Sequence, residues 1–109
     1  MQPRLKSALV VQALIRRAEI AGAAAYLLRR GSEEAGAIFI KIDRLDGNST
    51  VLSPARRGEE RVWTRPLGES ADAQRCSDYL AKQLRFDPDI WIVEIEDREG
   101  RSFVDEPIV

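Results

Sequence analysis

Apolar residues recur at helical spacing along the first twenty positions. Read at about 100 degrees per residue, positions 5 to 21 gather Val10, Val11, Leu14, Ile15, Ala18 and Ala21 on one side, the stripe of a helix lying against a core. Gly22 is placed to end this helix, and Arg16 and Arg17 suit the negative end of its dipole. The opposite side carries a second, narrower stripe of Leu5, Leu9, Ala13 and Ile20, flanked by Lys6, Gln12 and Arg16. Two covers for it follow: a second copy or partner protein, or the chain's own segment from Phe103 to Val109.

From Tyr26 the period becomes strand-like. Tyr26–Arg30, Ala37–Leu45, Ser49–Ser53 and Arg61–Arg65 are separated by glycine-bearing turns, and read together as a four-stranded antiparallel meander. Ile38, Ile40 and Ile42 share the face that should meet the first helix. Ser70 is expected to cap a second helix running to Phe86, where Asp87-Pro88 stops it. Its apolar stripe is Ala73, Cys76, Leu80 and Leu84, with Asp78 and Lys82 spaced as an outer ion pair. Ile90–Glu96 reads as a strand with Trp91 in the core. Asp97 to Gly100 then makes a turn into a short edge strand, Arg101–Val104, before Pro107 ends regular pairing. The order argues a single α+β domain over residues 1–109.

Composition narrows the chemistry. A chain of 109 residues buries about 65% of its unfolded surface, enough for one core without metal or disulfide staples. No apolar run approaches the roughly 20 residues of a membrane span, so no membrane partner is expected. Arg4 and Lys6 ahead of Ala8–Ile15 faintly suggest a secretory leader, but Gln12 breaks the apolar stretch and Arg16, Arg17 and Glu19 precede the small residues that would be cut. Histidine is absent, which removes the commonest general base and every Ser-His or Cys-His nucleophile pair. The lone Cys76 allows no internal disulfide, and a cytoplasmic setting without cofactors is expected. The net charge of -1 hides a gradient: residues 1–65 hold 12 basic and 7 acidic side chains, residues 66–109 hold 5 and 11.

Four stretches in fixed order, Ala13-Leu14-Ile15-Arg16-Arg17-Ala18-Glu19, Leu28-Arg29-Arg30-Gly31, Ala35-Gly36-Ala37-Ile38 and Asp87-Pro88-Asp89-Ile90-Trp91-Ile92-Val93-Glu94, resemble a family of short bacterial proteins called domain of unknown function 1491. The likeness spans nearly the whole chain. It implies a bacterial, cytoplasmic, single-domain protein and hands no catalytic or binding role to any residue.

Three clusters compete as sites. Glu94 and Glu96, near Asp97 and with Asp105 and Glu106 across a hairpin, are the candidates for holding a divalent metal in a phosphodiester- or nucleotide-directed enzyme. The lysine of restriction-type nuclease motifs is missing there, and charged residues on an edge strand also serve to block edge-to-edge pairing. Arg16, Arg17, Arg29, Arg30, Arg61 and Arg65, joined by Arg56 and Arg57 and by Trp63 as a stacking platform, would make a nucleic-acid surface if they converged. Arginines spread over a near-neutral chain more often pair with surface carboxylates. Cys76 reads as a buried, inert thiol, and the seven serines fall in no nucleophile motif. The leading expectation is a non-enzymatic binding or assembly module, a homodimer or a partner of another protein, with Leu5, Leu9, Ala13 and Ile20 as its interface.

Overall fold

A computed structural model describes residues 5–109. Helix α1 (Ser7–Ile20) leads into strand β1 (Ala24–Arg29). The strands β2 (Ile38–Asp43), β3 (Asn48–Arg57), β4 (Glu60–Thr64) and β5 (Ala71–Asp72), helix α2 (Ala73–Phe86) and strand β6 (Trp91–Glu96) follow. The class is α+β, as the sequence implies.

The strand order corrects the meander at one place. The sheet runs β1-β6-β2-β3-β4, with β5 paired to the start of β3. β2, β3 and β4 do form successive antiparallel hairpins, but β6 is inserted between β1 and β2, antiparallel to β1 and parallel to β2. Its sequence explains the central place: Ile90 to Val93 is continuously apolar, and all four are buried because both sheet faces are covered there. Gly31 and Gly36 make room for the insertion. A Cβ on either would collide with the Asp89 carbonyl where the chain enters β6, so the segment that looked like a hairpin turn is a clasp around β6.

Each face has its own core. On one, Ile38, Ile40 and Ile42 meet Val11, Leu14 and Ala18 of α1, together with Leu52, Val93, Ile95 and Trp91. On the other, Phe39, Val51, Ile90 and Ile92 pack with Cys76 and Leu80 of α2. Fully burying such a side chain is worth about 1.5–3 kcal/mol against leaving it exposed, so these two clusters hold the sheet between the helices.

Helix ends differ from expectation. Asp72, not Ser70, caps α2, its carboxylate accepting the Arg75 N–H at 2.8 Å. Asp78 accepts from Gln74 at 2.8 Å instead of pairing with Lys82. The start of α1 has no side-chain cap; the N–H groups of Ser7 and Ala8 donate to the carbonyls of Glu34 and Glu33 at 3.2 and 3.1 Å, so the β1–β2 connection itself satisfies them.

After β6 the expected turn is present, the Gly100 N–H donating to the Asp97 carbonyl at 3.0 Å. Residues 101–104 form no strand. The chain passes Phe103 in the left-handed region (φ 61°), and pairing resumes only around Pro107. There the Trp63 N–H donates to the Pro107 carbonyl, and the Trp63 carbonyl accepts the Val109 N–H, each at 2.8 Å. Phe103, Val104 and Ile108 pack onto the α1-side core, leaving Leu9 and Ile20 at 51% and 75% exposure, with Leu5 and Ala13 also exposed. The C-terminal segment therefore does not cover the outer stripe of α1.

Candidate functional site

β3 changes partners along its length. Ser49 to Leu52 pair with β2, whereas Ser53 to Arg57 pair with β4, and Pro54, which has no N–H to give a ladder, stands at the changeover. Beyond the Ile40–Leu52 pair the two strands part, and the β3–β4 hairpin swings away from β2.

A groove of about 950 Å³ opens in this gap, between the start of α1, the segment Ala35 to Ile38 and the hairpin. Leu5, Val10, Ala37, Ile38 and Trp63 supply its apolar lining, and Arg56, Glu59, Arg61 and Glu106 its charges. The Trp63 indole is 8% exposed and donates to Glu106 Oε1 at 3.0 Å, so that carboxylate is already engaged. Cross-strand register puts Pro54 with Trp63 and Arg56 with Arg61, two residues further along the same face of the hairpin. Both guanidiniums are exposed, and neither forms an ion pair among the described residues; Arg56 donates only to the Glu59 carbonyl, at 3.3 Å. Like charges directly opposite are unfavourable unless something neutralises them.

The other sequence candidates are dispersed. Glu94 and Glu96 do share one face of β6, but Glu94 lies 3.8 Å from Lys41 Nζ and Glu96 faces the Tyr26 phenol. That carboxylate, accepting from the phenol, pushes the Tyr26 hydroxyl above its ordinary range. Asp97 accepts from the Arg101 backbone and guanidinium at 2.7–3.1 Å, which holds its carboxyl below the usual range and the guanidinium above its own. No three metal-ligating side chains converge among the described residues.

The arginines are tied to separate places. Arg17 donates to the Phe103 carbonyl at 2.9 Å and faces Asp105. Arg29 donates to the Pro88 carbonyl at 2.7 Å, and Arg30 stacks over Trp91 at 5.3 Å. Arg16 is exposed on α1, and Arg65 lines a separate polar recess of about 270 Å³. Arg29 and Arg61 belong to strands at opposite edges of the sheet order, β1 and β4, so the set makes no single surface. Trp63, buried with its N–H occupied, offers a groove wall instead of a stacking platform. Cys76 is fully buried, and burial pushes its thiol up.

Sequence reasoning singled out Leu5, Arg56, Arg61, Trp63 and Glu106 of the groove, but for other purposes. The strand runs on through Pro54 to Arg57, past the expected end at Ser53, and that proline was the available signal that β3 leaves its neighbour.

The sheet carries one helix on each face and an open groove beside β3, and comparison with known proteins places the chain in one family. The profile described as Protein of unknown function (DUF1491) matches residues 5–105, and the chain belongs to that family. A DUF1491 protein from Caulobacter crescentus CB15, solved as a crystal structure, is 44% identical with a TM-score of 0.90, covering 97% of this chain and 100% of that one. The solution structure of a DUF1491 protein from the same organism gives 43% identity and a TM-score of 0.87, covering 99% of both chains. Protein Atu0922 from A. tumefaciens is 34% identical with a TM-score of 0.80, over 98% of this chain and 100% of that one. No functionally curated protein matches this chain.

Proposed function

We propose that the chain is a non-enzymatic binding module that holds another protein in the groove between α1 and the β3–β4 hairpin. The observation that carries this reading is the groove itself, a recess of mixed apolar and polar lining edged by two arginines that form no ion pair among the described residues. Its volume lies within the roughly 300–1,000 Å³ of ligand sites. The groups whose ionisation is displaced, Tyr26, Cys76, Asp97 and Arg101, all lie outside it. A buried single thiol fits a cytoplasmic setting. The metal-dependent and nucleic-acid readings rank lower, because Glu94 is matched by Lys41 and the arginines serve separate local contacts.

Self-association through α1 is a second reading, favoured by one observation: Leu9, Ala13 and Ile20 line its outer face uncovered, near an edge strand whose Tyr26, Leu27 and Leu28 are also exposed. Affinity capture from a native lysate separates the two. With wild type and Ala35→Trp as paired baits, a protein retained by wild type and lost when the groove is filled supports the first reading. Identical recoveries from both baits contradict it.

A further inference from the structure

The groove's edges carry more information than its volume. Ile38 and Phe39 extend β2 past its last pair with β3, so on that side they have no ladder partner. Ser53 to Arg57 are paired to β4 on one side only. Among the described residues, two strand edges therefore flank one apolar groove without a ladder joining them. Backbone N–H and C=O groups left on a strand edge are strong, directional sites for another strand, and they recognise main chain of any sequence.

Side chains then supply selectivity. Trp63 and Arg61 are two residues apart in β4 and point to the same face, as do Pro54 and Arg56 in β3. An extended chain laid along the hairpin presents its own side chains with the same period. A residue seated against Trp63 and Val10 must be apolar, and the one two positions on comes up against the two guanidiniums. Arginine forks match carboxylates in geometry as well as charge, and an incoming carboxylate would relieve the repulsion between Arg56 and Arg61. Neither Glu106 nor Glu59, the groove's own carboxylates, forms an ion pair with either guanidinium among the described residues.

We infer that the groove takes an extended acidic peptide segment as an added strand, with an apolar residue against Trp63 and, two positions on, an Asp or Glu between Arg56 and Arg61. This rests on the groove reading above and names its partner's chemistry. The free carboxylate of a fatty acid offers the same charge without a backbone, and the test separates the two.

The experiment is fluorescence anisotropy of a labelled octapeptide with Leu and Asp two positions apart on a Ser/Thr background, titrated with the full chain. Saturable binding is expected, weakened at least about tenfold by Arg56→Glu combined with Arg61→Glu. Restoration is expected when the peptide's Asp is exchanged for Lys against that charge-reversed variant. Far-UV circular dichroism and unaltered unfolding midpoints confirm that the variant folds; if it does not, Arg61→Gln, at an exposed position, replaces it with a smaller expected loss. No saturable binding, binding indifferent to both charge changes, or displacement of the peptide by laurate at lower concentration than by unlabelled peptide would overturn the inference. If Ala35→Trp still abolishes a native capture while the octapeptide does not bind, only the peptide chemistry falls. If neither responds, the groove reading falls with it.

Discussion

Replacing Gly36 by Ala tests how β6 is held between β1 and β2. A Cβ at this position would run into the Asp89 carbonyl and come within 2.9 Å of the Ser32 N and 3.0 Å of Trp91 Cδ1. Two of those three atoms are backbone, so no flexible side chain can turn aside. Overpacking of this kind costs about 1–3 kcal/mol. The clasp also contains the Ser32 N–H to Asp89 carbonyl bond at 2.9 Å and the Trp91 indole N–H to Ser32 carbonyl bond at 2.8 Å. Straining each of them adds about 1 kcal/mol. The expected loss is about 3–5 kcal/mol, against a total of roughly 5–15 for a domain of this kind. Urea unfolding followed by tryptophan fluorescence reads it directly: with a slope of about 1.5 kcal/mol/M, the midpoint should fall by about 2–3.3 M. Gly22→Ala is the control. There the φ of 89° penalises alanine but nothing lies within 4 Å, so only the conformational cost of about 1 kcal/mol applies. If Gly36→Ala shifts the midpoint no further than Gly22→Ala, the clasp is not what seats β6.

Asp97→Asn should cost about 1–2 kcal/mol at pH 7, discounted because Arg101 is partly exposed. Since the folded carboxyl titrates below its unfolded value, this difference is full above the unfolded range and disappears as pH falls through the folded one, which acid unfolding of both proteins would show. For Cys76 the sign reverses: its folded thiol titrates above the unfolded one, so the wild type should lose stability relative to Cys76→Ala as pH rises through the thiol range, and native protein should react with a thiol reagent only on the timescale of unfolding. Leu9→Glu combined with Ile20→Glu changes exposed positions and should alter stability by no more than about 0.5 kcal/mol. Light scattering then decides self-association: a wild-type dimer made monomeric supports the α1 interface, and a wild-type monomer eliminates it.

Local patterning carried most of the elements because each rests on residues close in sequence. The Ile38-Ile40-Ile42 face, the α1 stripe at Val11, Leu14 and Ala18, and the buried Cys76 and Trp91 all lie where periodicity alone puts them. The insertion of β6 was less visible, since glycines at 31 and 36 read equally well as a turn between neighbours and as space for a distant strand. What distinguished the two was the unbroken apolar run of Ile90 to Val93, which an edge strand would not need. The cap at Asp72 was displaced from Ser70 because β5 pairs Ala71 and Asp72 with β3, postponing the helix. The groove had no local signature at all. It exists because β3 exchanges one partner for another at Pro54, and its walls come from α1, the 35–38 segment and the hairpin, which only the tertiary fold brings together.

The groove's occupancy in its native setting is the most direct test of the account. A photo-activated benzophenone side chain at position 35, on the groove's rim, should on irradiation in cells give one discrete covalent adduct to another protein, absent when the same group is placed at position 82 on α2. Equal labelling from both positions, or adducts only between copies of this chain, would contradict it.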